Sequence, residues 1–257
     1  MSALIRALIL LPLLMFTALF SRGGVFDHTV TEELSGELSA YASIEVKNVN
    51  GKITLQPGDS DHYHIEITKK SRSEENLEHI EVHREIDADG IKLDVHIPKK
   101  KGWFSMGQIQ GSVEIVITAP ATADLTNIRT VNGSVEITGF INGINASSVN
   151  GVIQARDVSG SAHFDTVNGS IRASFRDLGS SDDLSFSSVN GGISLQFPAD
   201  LNADLRTSVV NGRIHCDFPI TLSDGASSRK LRGRIGEGGA ELKASTVNGT
   251  IRLSESS

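Results

Sequence analysis

Ser148-Val149-Asn150-Gly151-Val152-Ile153 contains a unit that the chain repeats: Val-Asn-Gly occurs seven times, at 49–51, 131–133, 149–151, 167–169, 189–191, 210–212 and 247–249. Four residues after each Val stands Ile53, Val135, Ile153, Ile171, Ile193, Ile214 or Ile251. Six residues after it stands Leu55, Ile137, Ala155, Ala173, Leu195, Cys216 or Leu253. The residues between are mostly polar, as with Lys52 and Thr54, Ser170 and Arg172, or Thr250 and Arg252. Alternation of period two is that of a strand with one face buried and the other wet. The Asn-Gly pair supplies corner chemistry, because Gly takes positive φ freely and Asn tolerates the left-handed region better than most residues.

Between 131 and 210 successive Val residues lie 18, 18, 22 and 21 positions apart, and the next follows after 37. A series of hairpins would repeat its inward pattern on both sides of every turn, with no fixed rung length. A near-constant period with one recurring corner predicts a coil of stacked strands instead, in which equivalent side chains form ladders. Asn50, Gly51, Asn132, Gly133, Asn150, Gly151, Asn168, Gly169, Asn190, Gly191, Asn211, Gly212, Asn248 and Gly249 are then structural corners. Their amides are expected to hydrogen-bond from rung to rung. Ile141-Asn142-Gly143-Ile144 and Val158-Ser159-Gly160-Ser161 repeat the corner about ten residues later, so each rung holds two or more short strands. Phe175, Phe197 and Phe218, each eight residues after a Val, predict an aromatic ladder over three consecutive rungs. The fold class is all-β: a β-solenoid, or β-helix, of stacked short strands with an irregular β-rich N-terminal cap.

Three regions follow. Residues 1–23 contain the apolar run Leu4 to Phe20, short for a membrane span and suited to a secretory leader with cleavage after Gly23, or to an N-terminal anchor if uncleaved. Residues 24–120 include one corner unit and several alternating segments of irregular rhythm, expected to cap the open end of the coil, where bare edges would invite association. Residues 121–257 form the regular solenoid, with a Gly/Ser-rich inserted loop at about 219–239. The expected location is therefore the periplasm or the cell surface. A net charge of −7 argues against a nucleic-acid partner, whose phosphates demand a basic face.

Few residues suggest chemistry. Gly233-Arg-Ile-Gly236-Glu-Gly238-Gly239 is Gly-rich but precedes an alternating strand, so no helix N-terminus is offered to an anion, and it is read as a turn-rich loop. His62, His64, His79, His83 and His96 cluster in the first half, but no Cys or His-Glu motif joins them, so no metal site is assigned. Cys216 occupies an inward ladder position and is read as a buried structural thiol. Lys99, Lys100, Lys101, Trp103 and Phe104 form the one basic-aromatic run, suited to contact with an anionic envelope surface. Polysaccharide-cleaving solenoids need clustered carboxylates and aromatic platforms. From 121 to 257 there is no Trp or Tyr, and Asp157, Asp165, Asp182 and Asp183 fall at different rung offsets. No catalytic residue, cofactor or metal is assigned.

The repeated Val-Asn-Gly-x-Ile units resemble the bacterial family of unknown function labelled "putative adhesins". So does Gly233-Arg-Ile-Gly-Glu-Gly-Gly-Ala-Glu-Leu-Lys-Ala-Ser-Thr-Val-Asn-Gly-Thr-Ile-Arg-Leu253, which looks like that family's closing rung. The resemblance spans about residues 40–253 and implies an envelope-associated, non-enzymatic protein with an unidentified envelope component as partner. The expected role is an exported adhesion, scaffold or interaction module. An accessory or sensor protein in envelope-stress signalling is the alternative, and a carbohydrate-active enzyme comes third.

Overall fold

A computed structural model of the chain describes residues 15–19, 28–59, 61–98, 111–179, 182–223 and 227–256. Most of the expected leader and the whole Lys99–Phe104 run lie outside these residues. In chain order the first strands are β1 (Met15–Leu19), β2 (His28–Glu37), β3 (Ser43–Asn50), β4 (Ile53–Pro57) and β5 (His62–Ser71). A single helical turn, α1 (Glu74–Glu78), follows, capped by the Ser73 hydroxyl, which accepts from the Asn76 N–H at 3.3 Å. Then come β6 (Glu81–Asp87), β7 (Gly90–His96), β8 (Gly111–Ala119), β9 (Asp124–Asn132), β10 (Val135–Thr138), β11 (Ile144–Asn150) and β12 (Ile153–Val158). The remainder are β13 (Ala162–Asn168), β14 (Ile171–Phe175), β15 (Asp183–Asn190), β16 (Ile193–Phe197), β17 (Ala203–Asn211), β18 (Ile214–Cys216), β19 (Ile220–Leu222), β20 (Lys230–Ile235), β21 (Ala240–Asn248) and β22 (Ile251–Glu255).

These strands build two sheets of 11 strands each. Sheet I runs β1-β2-β5-β8-β4-β10-β12-β14-β16-β22-β18, and sheet II runs β19-β20-β17-β21-β15-β13-β11-β9-β3-β7-β6. Each Val-Asn-Gly corner joins a strand of sheet II to the next strand in sheet I, so a rung is two strands. Rungs stack in parallel and in register: Ile153 lies beside Ile171, and Ile171 beside Ile193. The chain is thus a β-solenoid, flattened into two sheets that enclose one core. The ladder Ile53, Val135, Ile153, Ile171, Ile193 and Ile251 is buried along sheet I. Each such side chain contributes about 1.5–3 kcal/mol gross on burial.

Across the core, sheet II supplies Val46, Ile128, Ala146, Phe164, Phe186 and Ala244, all buried. Phe164 meets Phe186 edge-on at 5.5 Å, Phe186 meets Phe175 at 6.0 Å, and Phe175 stacks on Phe197 at 5.1 Å. This aromatic run corrects the expected ladder, because Phe218 is not its third step. The last rung in sequence is not last in space: β21–β22 sits between β15–β16 and β17–β18, so Ile251 pairs with both Ile193 and Ile214. At the level of Phe197 the neighbouring strand therefore carries Glu255.

The N-terminal half adds to the same two sheets. The rung β3–β4 lies against β9–β10, with Asn50 opposite Asn132 and Ile53 opposite Val135. Beyond it, β7 continues sheet II and β8 continues sheet I, both parallel to their neighbours. The strands then turn antiparallel: β6 on β7, and β5, β2 and β1 in succession on β8. β1 takes part of the apolar run read as a leader into a strand at the edge of sheet I. Residues 219–239, read as a loop, differ from that expectation. They contain β19 and β20, an antiparallel pair that extends sheet II past β17. Alternation is present in β20, where Leu231 is half-buried and Ile235 buried, but Gly233 and the surrounding Gly and Ser residues hide it.

Candidate functional site

The corner is the feature that all seven repeats share, and its parts have separate jobs. The seven Asn side chains form one hydrogen-bonded column. Asn132 Nδ2 donates to Asn50 Oδ1 (2.8 Å), Asn150 to Asn132 (2.8 Å), Asn168 to Asn150 (2.9 Å), Asn190 to Asn168 (2.9 Å), Asn248 to Asn190 (2.8 Å) and Asn211 to Asn248 (3.0 Å). Asn50 Nδ2 ends the column on the Gly111 carbonyl at 3.2 Å. Every amide is oriented the same way, which lets each group donate to one neighbour and accept from the other.

The glycines act differently from the expectation. Among the seven, only Gly51 (φ +122°) and Gly212 (φ +157°) have positive φ, and no corner Asn does. What excludes a side chain at the other five is close approach: a Cβ on Gly133, Gly151, Gly169, Gly191 or Gly249 would overlap the carbonyl oxygen of the corner glycine one rung away. Those carbonyl oxygens are in turn bound by hydroxyls that sequence reasoning missed. Ser148 Oγ donates to Gly133 O (3.0 Å), Thr166 to Gly151 (3.2 Å), Ser188 to Gly169 (3.0 Å) and Thr246 to Gly191 (2.9 Å). The signal was available, since Ser or Thr precedes the Val at 130, 148, 166, 188 and 246. All five Ser and Thr residues are buried, and a hydroxyl in such a place needs a partner such as the half-buried glycine carbonyl beside it.

The Val of six corners is exposed, while Val49 of the first is half-buried. Val131, Val149, Val167, Val189 and Val247 are 39–42% exposed and Val210 is 55% exposed. In stack order they make one aliphatic ridge over six rungs, about 25 Å long at the usual strand spacing. An open groove of about 530 Å³ runs along it, lined by Val131, Val149, Val167 and Val189 with Arg129 and Asp165. Beside the ridge, the outer face of sheet II is laced with ion pairs: Lys243 with Glu241 (3.0 Å) and Asp183 (3.8 Å), Arg206 with Glu241 (3.3 Å), and Arg234 with Asp204 (3.3 Å).

The other residues singled out in the sequence do not converge. His62 and His64 lie on β5, His79 caps α1, His83 is on β6 and His96 on β7. His62 binds its neighbour Asp61 at 2.6 Å, which raises the imidazole pKa. Among the described residues no three His, Cys, Asp or Glu side chains gather as metal ligands. The Gly-rich turn keeps its N–H groups for the protein: Glu237 donates to Asn202 Oδ1 (2.8 Å) and Gly239 to Asp204 Oδ2 (3.4 Å). Cys216 is half-buried rather than buried, because β18 ends sheet I and has a neighbour on one side only. Burial still pushes its thiol pKa up, away from a reactive thiolate. Asp183 is shared between Lys243 and His163 (3.5 Å), and Asp182 accepts the Gly179 N–H (2.7 Å).

Comparison with known proteins places this architecture. Residues 128–254 match the model of the family described as Toastrack DUF4097. No curated protein matches the sequence. Solved structures similar to this chain include a "putative cell adhesion protein" from Clostridium sporogenes (10% identity, TM-score 0.48, covering 88% of this chain and 100% of that one). A "putative adhesin" from Bacteroides fragilis is 11% identical, with a TM-score of 0.43 over 87% of this chain and 96% of that one. A "putative lipid binding protein" from Parabacteroides distasonis is 8% identical, with a TM-score of 0.31 over 88% and 97%. Six of the seven corners, with their asparagine column and their paired strands, fall inside the matched residues, and through them this C-terminal half of the chain, residues 128–254, belongs to the Toastrack DUF4097 family.

Proposed function

We propose that this chain is an exported, non-enzymatic protein of the cell envelope that works as an adhesion or scaffold module, holding an envelope component against its long, regular surfaces. The observation that carries this reading is the valine ridge. Ladders that only support a fold turn inward, whereas this one faces solvent in six successive rungs while the Asn and Gly beside it hold the corner. An exposed aliphatic strip of that length, next to a groove, is the kind of surface that marks an interaction site. Catalysis needs groups converging on one reacting atom, and a stack that repeats one rung spreads its polar groups along a line.

The test uses the full-length chain coupled to beads and intact envelopes of the producing cell type. Val149→Ser, Val167→Ser and Val189→Ser together should cut bead retention at least tenfold without lowering the thermal midpoint by more than a few degrees, since all three side chains are exposed. Equal retention of wild type and triple variant would overturn the ridge as the contact surface. Steady turnover of an envelope glycan by the wild-type chain would overturn the non-enzymatic reading.

A further inference from the structure

The two outer faces of the solenoid differ in charge. On sheet I, the outward positions of the C-terminal rungs run Gln154, Arg172, Ser194, Arg252 and His215, each beside the next across the strands. Arg156 stands two residues along β12 from Gln154, and Arg213 two residues before His215. All four arginines are exposed, and among the described residues none of them forms an ion pair. On the sheet I side of these rungs the carboxylates, Asp157, Asp177, Asp217 and Glu255, sit at or just beyond the strand ends away from the corner. Sheet II in the same rungs pairs its cations with acids. A chain of net charge −7 thus keeps one face with four uncompensated guanidinium groups.

Two hollows open on that face and share a wall. One, of about 240 Å³, is lined by Gln154, Arg156, Arg172, Ser194 and Gln196. The other, of about 330 Å³, is lined by Ser170, Arg172, Ser194, Thr250 and Arg252. Arg172 and Ser194 belong to both, so the two form a trough that crosses the strands along the stack. Arg172 and Arg252 are two strands apart, about 10 Å at the usual spacing.

We propose that this trough binds an acidic polysaccharide, with the chain of sugars lying along the stack, arginines holding its carboxylates, and Gln154, Ser194 and Thr250 hydrogen-bonding its hydroxyls. The guanidinium fork matches a carboxylate with two parallel hydrogen bonds, and amide and hydroxyl groups suit neutral sugar hydroxyls. The same surface fits other polyanions less well. A lipid surface is held by apolar side chains that enter the headgroup layer, and among the described residues none of the exposed large hydrophobic side chains lies on this face. Single-stranded nucleic acid is gripped by aromatic stacking, and Phe164, Phe175, Phe186 and Phe197 are all buried. The inference rests on the reading of the chain as a binding module and names the ligand of a second surface, distinct from the valine ridge.

The experiment measures binding of the full-length chain to polygalacturonate at low and moderate salt. Controls are fully methyl-esterified polygalacturonate, phosphatidylglycerol vesicles and a DNA duplex. Wild type should bind polygalacturonate with an affinity that falls as salt rises. Arg172→Gln with Arg252→Gln should weaken binding at least tenfold, while Lys243→Gln with Arg206→Gln on sheet II changes it less than twofold. Circular dichroism melts should coincide, because all four side chains are exposed. Absence of binding, equal binding of the esterified polymer, or equal loss in both double variants would overturn the proposal. Tighter binding to vesicles or DNA through the same arginines would overturn it in favour of those ligands. If polygalacturonate fails while the valine variant still loses envelope retention, the module reading stands and the glycan reading falls.

Discussion

At Gly169 the side chain is missing because the neighbouring rung occupies its place. The carbonyl oxygen of Gly151 sits where a Cβ would be, and that carbonyl is itself fixed by the Thr166 hydroxyl at 3.2 Å. Backbone cannot yield as a flexible side chain can, so Gly169→Ala is a case of overpacking with no relief. It should lower stability by more than about 3 kcal/mol in urea denaturation, at the destructive end of single substitutions. Gly143→Ala is the control, since its nearest neighbour beyond the adjacent residues is the Asp124 Oδ1 at 3.8 Å. That change should cost less than about 0.5 kcal/mol, as open surface sites do. Equal losses at the two positions would reject the close approach. The sequence made the corner visible but not its reason: Asn-Gly suggests a left-handed turn, and only the stacking of the rungs shows that at Gly133, Gly151, Gly169, Gly191 and Gly249 the demand is for space.

Among the elements, β2, β5 and β6 are joined by charge. Glu32 on β2 is 7% exposed and binds Lys69 on β5 at 2.8 Å and Arg84 on β6, so one carboxylate links sheet I to sheet II near the antiparallel end. Burial alone would raise its pKa. The hydrogen bonds and positive charges of Lys69 and Arg84 outweigh that effect and hold it below the usual carboxylate range. A folded pKa below the unfolded one stabilises the protein above the unfolded pKa, and that contribution fades as pH falls through the folded value. Glu32→Gln leaves two cations against a neutral amide and should cost about 3 kcal/mol at pH 7. It should also flatten the acid-side fall in thermal midpoint expected of wild type as pH drops below the unfolded carboxylate range. A variant whose pH profile runs parallel to wild type would show that Glu32 does not carry this dependence. None of the three residues was singled out by sequence reasoning, because contacts between elements of irregular rhythm follow no period. β20 was overlooked for a related reason: at the edge of sheet II its alternation is half wet, and Gly233 interrupts it.

In the whole molecule the order of rungs along the stack departs from their order along the chain. Seven corners with one chemistry are interchangeable partners: Asn248 can accept from Asn211 and donate to Asn190 because every rung offers the same amide at the same place. Rung identity was therefore legible from Val-Asn-Gly and the ladders behind it, while rung order was not. After β18 the chain turns through β19 and β20, which pair antiparallel along the far edge of β17, and then returns to place β21–β22 inside the stack. This threading can be read by cross-linking. Gln196 lies directly opposite Ser254, whereas Asp217, whose N–H bonds the Leu253 carbonyl, is one strand further away. Adjacent strands bring Cα atoms to about 4.8 Å and strands two apart to about 10 Å, and a disulfide needs less than about 7 Å. In a Cys216→Ser background, Gln196→Cys with Ser254→Cys should oxidise to an intramolecular disulfide seen by mass spectrometry, while Gln196→Cys with Asp217→Cys should stay reduced. The reverse result would mean that the rungs stack in chain order, which would return Phe218 to the aromatic run behind Phe197 and leave the closing rung at the open end of both sheets.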